Sequence, residues 1–311
     1  MKIVFCCTHA VAEPWLEGFR QALPGVDIWE WQAAEPGQAP KLADHAVVWA
    51  PPQAFIDEQT QLQNLFCIGA GVDGLLKLQL PDKLSVVRLN DAGMSVQMAE
   101  YVCHAVISYF REFGAYAQDA AAKRWSFKKP LVRAEFVVGI LGAGVLGSRV
   151  ASALKHFEFP VNVWSRTPKQ MDGVQSFAGQ EQLPHFLKAT RVLVNLLPLT
   201  AETENILNRV NLSQLQPGSY LINVARGHHL VEQDLLDLLQ EGHMAGATLD
   251  VFRKEPLPQD HAFWLHPQIT LTPHASARTL REESVAQIAS KIKAVYAGQP
   301  IEGRVGRERG Y

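Results

Sequence analysis

Long apolar runs are missing from this chain, and so is the pattern of a cleaved leader. A helix that spans a membrane needs about 20 consecutive apolar residues, and no stretch of the sequence reaches that length. The opening letters, MKIVF, are typical of a buried first strand and not of a secretory signal. These absences exclude a membrane-spanning class, and we expect a cytoplasmic protein.

Cysteine is scarce, and the four thiols lie in apolar patterns without metal-ligand spacing, at Cys6, Cys7, Cys67 and Cys103. This excludes a disulfide-rich scaffold and a zinc site. It indicates reduced core thiols, although one of them could instead be reactive. The eleven histidines also lack metal spacing, so we predict no metal and expect the His228-His229 pair to be exposed.

The chain also lacks a strong charge of one sign. Its formal net charge is −2 and it has no long basic run, internal repeat or low-complexity tract. Nothing therefore points to nucleic acid or to an anionic membrane surface, and we predict neither partner. A small anionic substrate remains compatible with this charge, because it needs only a local positive site.

Short apolar strands alternate with helical stretches along most of the chain, which predicts α/β architecture with mainly parallel sheets. The predicted strands cover residues 2–7, 26–31, 46–50, 65–68, 85–89, 137–141, 161–164, 191–195, 220–224, 245–249 and 269–271. The length of 311 residues suits two domains. Two such units imply a ligand cleft between them.

The predicted helices cover residues 12–23, 95–113, 145–157, 231–240 and a last helix that ends near residue 296 before Gly298. A capping box at 279–282 is expected to start the last helix. The segment 114–130, with Trp125 and Phe127, has no clear periodicity. It is equally typical of an arm on another subunit and of a surface loop.

A glycine-rich turn, GAGVLG at 142–147, follows a buried strand and opens a helix. In a nucleotide turn of this kind, Gly142 permits the tight bend, Gly144 lets backbone approach a pyrophosphate, and Gly147 lets helix and strand pack closely. The helix start then offers N–H groups to the phosphates. A second strand at βαβ distance favours this interpretation over an ordinary turn.

The second strand of this unit ends in Ser165-Arg166-Thr167-Pro168-Lys169, without an acidic residue. NAD sites usually place Asp or Glu there for the ribose hydroxyls, whereas NADP sites must accept a phosphate. Arg166 can pair with phosphate, Ser165 and Thr167 can donate hydrogen bonds, and Lys169 adds charge. We therefore predict NADP(H) as the cofactor.

Three later stretches carry candidate chemistry: NVARG at 223–227, LDVFRKEPL at 249–257 and TPHAS at 272–276. They follow strand ends, where ligands bind in doubly wound sheets. Taken singly, Arg226, Glu255 and His274 could be surface or turn residues. An earlier glycine-rich turn, GAGVDG at 69–74, could bind an anion or could be a plain turn.

In these motifs and their order the chain resembles the D-2-hydroxyacid dehydrogenase family, and within it the NADPH-dependent glyoxylate/hydroxypyruvate reductases. The resemblance covers nearly the whole length. It implies that Arg226 holds the substrate's carboxylate and keto oxygen, that His274 donates a proton, and that Glu255 holds the histidine. Ala70 and Gly71 would bind the carboxylate through backbone N–H groups. The cofactor residues implied or predicted are Gly142, Ala143, Gly144, Val145, Leu146, Gly147, Ser165, Arg166, Thr167, Lys169, Leu197, Pro198, Ala225 and Asp250.

The same resemblance implies two doubly wound parallel-sheet domains. A flavodoxin-like substrate domain would comprise residues 1–97 and 280–311, and a Rossmann dinucleotide-binding domain would comprise residues 98–279. Domain closure would use hinges near residues 94–98 and 276–281. The long apolar helix and the arm favour a homodimer.

The predicted reaction is the reduction of a small 2-keto acid, glyoxylate to glycolate or hydroxypyruvate to D-glycerate, by hydride transfer. Trp49 and Trp264 could limit the substrate to two or three carbons, or could be packing residues. Two rival hypotheses remain open. One is a dehydrogenase for another 2-keto acid, and the other is a nucleotide-sensing binding protein, because relatives resembling transcriptional corepressors share the fold.

Overall fold

The computed structural model describes residues 1–8, 11–35 and 37–309, and the chain forms two compact units. Unit 1 comprises Met1–Met94 and Arg278–Tyr311, and unit 2 comprises Ser95–Ala277. The chain therefore passes between the units at 94/95 and at 277/278, inside the two segments that the sequence suggests as hinges. Residues 310 and 311, which fall in the predicted substrate domain, lie outside the described residues.

The elements follow one another in an alternating order of strands and helices. The strands are β1 (Lys2–Cys7), β2 (Asp27–Glu30), β3 (His45–Trp49), β4 (Asn64–Cys67), β5 (Ser85–Val87), β6 (Val138–Leu141), β7 (Val161–Ser165), β8 (Gln175–Ala178), β9 (Val192–Asn195), β10 (Ser219–Asn223), β11 (Met244–Leu249) and β12 (Ile269–Leu271). The helices are α1 (Glu13–Ala22), α2 (Gln53–Glu58), α3 (Met94–Phe110), α4 (Phe113–Ala121), α5 (Val145–His156), α6 (Gly179–Lys188), α7 (Arg209–Leu212), α8 (Glu232–Gln240) and α9 (Arg281–Tyr296).

The sheet of unit 1 has the parallel order β2-β1-β3-β4-β5. This is the flavodoxin-like order, in which the chain reverses direction along the sheet beside its first strand. Helices α1 and α9 contact each other, and their apolar residues Phe19, Ile288 and Ile292 are buried in one cluster with the sheet. Fully burying each such side chain contributes about 1.5–3 kcal/mol.

The sheet of unit 2 has the order β12-β11-β10-β9-β6-β7-β8, and its strands are parallel as well. Counted within the unit, this is the doubly wound Rossmann order with one further strand at the edge. The direction of winding reverses between β6 and β9, so the glycine turn after β6 lies at the position where such sheets bind ligands. The predicted fold class, two parallel-sheet α/β domains, is confirmed.

The segment after α3 differs from the sequence expectation, because residues 113–121 form helix α4. Helix α3 ends at Phe110 instead of residue 113, and Glu112 takes a left-handed backbone conformation with φ +53°. That bend ends α3 before residue 113, and a second helix follows where the sequence indicated no periodic structure. The polar and small residues of α4 hid its period.

The predicted capping box at 279–282 is wrong. Helix α9 begins at Arg281, and the residue before it, Leu280, provides no side-chain cap. The Leu280 N–H donates to the Ala92 carbonyl at 3.0 Å, and its side chain occupies the space in which Gly93 would carry a Cβ. These contacts fix the helix start one residue later than the box requires. Strand β8 and helix α6 were also missed, the latter because Pro184 lies inside it.

Most of the large apolar side chains are buried inside the two units. Within the described ranges no helix is both long and apolar enough to cross a bilayer. The four cysteines, all in described positions, are free thiols. Burial raises the pKa of Cys6 to about 12 and that of Cys103 to about 11, so these thiols stay protonated and poorly nucleophilic near neutral pH.

Candidate active site

The glycine turn of unit 2 has the geometry that each of its glycines predicts. Gly142 has φ +104°, which is unfavourable for any residue with a Cβ. A Cβ on Gly147 would lie 1.8 Å from the Gly142 carbonyl oxygen. Only glycine at 147 therefore lets helix α5 approach the turn this closely.

Gly144 stands in open space, since an added Cβ would meet no atom within 4 Å. It is the N-cap of α5, and no side chain caps that helix start. Uncapped N–H groups at the start of a helix are a binding site for phosphate. Of the other turn residues, Ala143 is buried, Leu146 is half-buried and Val145 is exposed. The turn thus fits a dinucleotide pyrophosphate.

The stretch after β7 presents Arg166, Thr167 and Lys169 to solvent. Ser165 is buried, and its hydroxyl donates to the Thr167 carbonyl oxygen at 2.8 Å. That bond orders the loop, so Ser165 shapes the site while the side chains of the other three residues face solvent. The donor set is cationic and contains no carboxylate, which fits a 2′-phosphate better than a free ribose hydroxyl.

Asp250, predicted at the cofactor, is fully buried one residue after β11. Its Oδ1 accepts hydrogen bonds from Thr272 Oγ1 (2.5 Å) and Ala275 N (2.7 Å), and its Oδ2 accepts one from Ser276 N (3.0 Å). Its own carbonyl accepts from the His274 N–H at 2.8 Å. Asp250 therefore holds the loop of the candidate acid from both sides.

His274 lies at the centre of that loop with a left-handed backbone, φ +52°. Such a conformation is costly for a residue with a Cβ and persists only where the surroundings enforce it. Its ring Nδ1 lies 2.8 Å from Glu255 Oε2. Because a carboxylate only accepts, Nδ1 carries a proton and Nε2 is the nitrogen left for a ligand.

Glu255 uses both of its oxygens, since Oε1 accepts from the Phe252 N–H at 2.9 Å. Partial burial acts to raise the pKa of Glu255. The hydrogen bonds from His274 and Phe252, together with the positive charges of His274 and Arg226, outweigh burial and lower that pKa below its ordinary value. The carboxylate is therefore ionised beside the imidazole.

Arg226 follows β10 and begins a 3₁₀ turn at residues 227–229. The turn packs so tightly that a Cβ on Gly227 would lie 1.9 Å from the Phe252 carbonyl carbon. This contact brings the turn beside the segment that carries Glu255. The three predicted catalytic residues, Arg226, Glu255 and His274, are thus brought together within unit 2.

The lowered pKa of Glu255 predicts a pH-dependent stability. The ionised form adds stability that is complete above the ordinary value of 4.5 and is lost as the pH falls through the lower folded value. We expect Glu255→Gln to melt below wild type at about pH 7, and the gap to close below 4.5. Thermal melts across this range check it, with the exposed Glu202→Gln as a control. A gap that widens on acidification would contradict it.

The predicted substrate residues of unit 1 lie in the turn after β4 or, in the case of Trp49, against it. The indole of Trp49, at the end of β3, lies against the backbone of Gly69, where an added Cβ would be 2.2 Å from Cζ3. Cys67 Sγ donates to the Gly71 carbonyl oxygen at 3.7 Å. Ala70 and Gly71 are half-buried. The thiol of Cys67 and the indole of Trp49 thus both contact this turn.

In a comparison with known proteins, residues 103–276 match the family model described as D-isomer specific 2-hydroxyacid dehydrogenase, NAD binding domain. The chain is 46% identical to glyoxylate/hydroxypyruvate reductase A of Yersinia enterocolitica, over 100% of both sequences. It belongs to the D-isomer specific 2-hydroxyacid dehydrogenase family.

Solved structures of this dehydrogenase family superpose on the whole chain. An enzyme of Xanthobacter autotrophicus in complex with NADPH and MES has a TM-score of 0.94 at 36% identity, with 100% of this chain and 99% of the other covered. A reductase of Sinorhizobium meliloti, described as NADPH-dependent glyoxylate/hydroxypyruvate reductase in complex with NADP and sulfate, has a TM-score of 0.91 at 31% identity, with the same coverage.

The other residues that the sequence singles out differ in their exposure. The prediction that His228 and His229 are exposed is wrong, because His229 is fully buried and His228 is half-buried. The apolar residues that follow them, Leu230 and Val231, were a signal of burial. Leu197 and Ala225 are buried and Pro198 is exposed. Trp264 is half exposed, and its Nε1 donates to the Pro258 carbonyl at 2.7 Å. Within the described part of the chain, no group of three metal-ligating side chains occurs.

Proposed function

We propose that this dehydrogenase uses NADPH to reduce glyoxylate to glycolate and hydroxypyruvate to D-glycerate. The observation that carries the proposal is the contact of His274 Nδ1 with Glu255 Oε2 at 2.8 Å, on a carboxylate that also responds to the Arg226 charge. An acid, its carboxylate partner and a cation are the groups that a carbonyl reduction requires. The names of the full-length relatives support the same substrates.

The cofactor is assigned to unit 2. The turn 142–147 and the start of α5 would hold the pyrophosphate, and Arg166, Thr167 and Lys169 would hold the 2′-phosphate, with Leu197, Pro198 and Ala225 nearby. The open space at Gly144 and the uncapped helix support this assignment. When bound, the reduced nicotinamide supplies a hydride to the keto carbon.

His274 is the proton donor in this proposal. As the keto oxygen gains negative charge, the protonated ring releases its proton from Nε2. The Nδ1 proton stays on the ring and remains hydrogen-bonded to Glu255. The ionised Glu255 stabilises the imidazolium that must exist before transfer. The His274 side chain is 45% exposed, so water can restore the proton after product leaves.

Arg226 is the anchor for the substrate. Its guanidinium can address the carboxylate and the keto oxygen together, because its N–H groups lie in one rigid plane. One of its Nη1 protons is bound to the Ala225 carbonyl at 2.7 Å, which restricts the side chain to one side of its turn. A fixed cation at the developing oxyanion lowers the barrier without reorganisation.

Unit 1 is assigned as the substrate domain and unit 2 as the dinucleotide-binding domain. The backbone N–H groups of Ala70 and Gly71 would bind the substrate carboxylate, and Trp49 would limit the size of the group on the keto carbon. The rigid support of this turn by Cys67 and Trp49 favours a binding role over that of a plain connection.

The test is the loss of reduced-nicotinamide absorbance when purified protein meets glyoxylate or hydroxypyruvate. NADPH and NADH are run side by side at matched concentrations. We expect turnover of both acids and a higher kcat/KM with NADPH. Faster turnover with NADH would overturn the assignment of Arg166, Thr167 and Lys169 to a phosphate. Cofactor binding without turnover of any short 2-keto acid would favour a nucleotide-sensing protein.

A homodimer is also proposed, through the arm at residues 114–130. Trp125 and Phe127 are 104% and 86% exposed, yet the arm is ordered by the buried Asp119. That carboxylate accepts hydrogen bonds from Ser126 and Arg124 and pairs with Lys128, and these contacts lower its pKa to about 2. Two aromatic rings on an ordered support suit burial against a second copy.

Sedimentation checks the dimer. Wild type is expected to have the mass of two chains, and Trp125→Ser with Phe127→Ser the mass of one. The control is Leu265→Ser, which removes an equally exposed apolar side chain outside the arm. A monomeric wild type would overturn the proposal. We also place the enzyme in the cytoplasm, where its free thiols would stay reduced; cell fractionation checks this.

A further inference from the structure

Three polar side chains lie fully buried at the carboxyl ends of β9 and β10. Asn195 is the last residue of β9, Asn223 is the last residue of β10, and the two are direct neighbours across the ladder. His229 ends the short turn that Arg226 begins. All three have zero exposure, and none of them has a part in the chemistry proposed above.

The three side chains form one hydrogen-bond network. Asn195 Nδ2 donates both of its protons, one to Asn223 Oδ1 at 3.0 Å and one to His229 Nδ1 at 2.9 Å. Since Nδ1 accepts, the ring proton is on Nε2, which donates to the Pro198 carbonyl at 3.3 Å. His229 is thus a neutral ring in a single tautomer.

The outer bonds of the network end on two backbone segments. On one side, Asn195 Oδ1 accepts from the Leu197 N–H at 3.3 Å. On the other side, Asn223 Oδ1 accepts from the Ala225 N–H at 3.3 Å, and Asn223 Nδ2 donates to the Arg226 carbonyl at 3.1 Å. These segments carry the proposed cofactor contacts and the proposed substrate anchor.

Stability alone does not require such a network. Buried hydrogen bonds contribute little net free energy, and apolar residues of similar shape can replace both partners at almost no cost. What a satisfied buried network adds is a fixed geometry, because moving any one of its groups would leave a buried donor or acceptor without a hydrogen bond. The Asn195, Asn223 and His229 side chains fix segment 197–198 and segment 225–226 at once.

We propose that Asn195, Asn223 and His229 are positioning residues. They fix the Arg226 turn and the 197–198 segment relative to each other, and so fix the position of the substrate anchor relative to the residues that support the cofactor. The inference rests on the proposed function. Asn195 and Asn223 link Leu197 to Arg226. His229 adds a second link, because its Nδ1 faces the Asn195–Asn223 pair and its Nε2 faces Pro198.

Two substitutions at His229 remove the bond to Pro198 and the bond from Asn195 one at a time. In His229→Asn the side-chain oxygen can replace ring Nδ1 as acceptor, but nothing reaches Pro198. In His229→Gln the side-chain nitrogen can replace Nε2 as donor to Pro198, but the acceptor for Asn195 is lost. We expect the Asn variant to raise the NADPH Kd about fivefold or more with the keto-acid KM near wild type, since a lost buried partner has effects of this size.

The Gln variant is expected to show the reverse pattern, with a keto-acid KM raised about tenfold and an NADPH Kd near wild type. NADPH binding is measured by quenching of tryptophan fluorescence, and the Kd of oxalate, measured in the same way on the NADPH complex, reports the anchor without turnover. His229→Leu removes both bonds and should raise both constants. If the Leu variant does not fold, the comparison of the Asn and Gln variants decides.

The control is Thr190→Val. It removes the 2.7 Å hydrogen bond from the buried Thr190 Oγ1 to the Phe186 carbonyl oxygen. Thr190 lies just before the start of β9, at the opposite end from Asn195. It should lower Tm and leave both constants unchanged. If the His229 variants behave like this control, their role is structural and the proposal is wrong. If wild type turns over no keto acid, the proposed function fails, and the NADPH Kd and the oxalate Kd still decide the inference.

Discussion

Replacing His274 by Asn is expected to lower kcat about 10²-fold to 10⁴-fold, the usual contribution of a positioned general acid. Asparagine tolerates the left-handed backbone that this position requires, φ +52°. Its side-chain amide can also still donate to Glu255. The variant therefore removes the transferable proton while it keeps the local geometry, which His274→Ala would not do.

Three measurements separate chemistry from folding for this variant. The NADPH Kd and Tm should stay near wild type, whereas kcat with glyoxylate falls. The matched control is His156→Asn, an exposed histidine at the end of α5, which should leave all three unchanged. A kcat within about threefold of wild type would remove His274 from the mechanism, because a general acid contributes far more than that.

Two glycines of one turn are expected to respond to alanine in opposite ways. Gly144→Ala places a Cβ in space that is open in the protein and has a permitted backbone, φ −79°. Its Tm without cofactor should match wild type. The NADPH Kd should rise at least about tenfold, because the new methyl group would occupy the position proposed for the pyrophosphate.

Gly147→Ala instead forces a Cβ to 1.8 Å from the Gly142 carbonyl oxygen, a clash of backbone with backbone. Overpacking of this kind costs about 1–3 kcal/mol of unfolding free energy, and occasionally more. We expect a lower Tm even without cofactor. Thermal melts with and without NADPH test both variants, since a ligand that binds the native state raises Tm. A Gly144→Ala protein with wild-type NADPH affinity would contradict the assigned pyrophosphate position.

The sheets could be predicted because parallel strands are buried on both faces and therefore have continuous apolar runs. Helices were harder to place where the reason for their boundary is tertiary. The left-handed Glu112 that separates α3 from α4, and the Leu280 contacts that delay α9, leave no mark in periodicity. Pro184 inside α6 gave a false sign of a helix end.

The candidate site shows the same division. The motifs indicated Arg226, Glu255 and His274, but the 2.8 Å contact between residues 19 positions apart and the strained backbone of His274 depend on packing. The His229 network was missed altogether. Its signal was present, since an asparagine ends two neighbouring apolar strands, at Asn195 and Asn223, and buried polar residues in such positions need partners.

The contact between Trp49 and Gly69 constrains the order in which these two residues can be substituted. A side chain at 69 collides with the indole, at 2.2 Å for Cβ alone, whereas a smaller residue at 49 only leaves room above the glycine. Of the two single substitutions, a smaller residue at 49 leaves the backbone of this turn undisturbed, whereas a side chain at 69 does not while the tryptophan is present. In any series of single substitutions, the tryptophan must therefore be lost before the glycine.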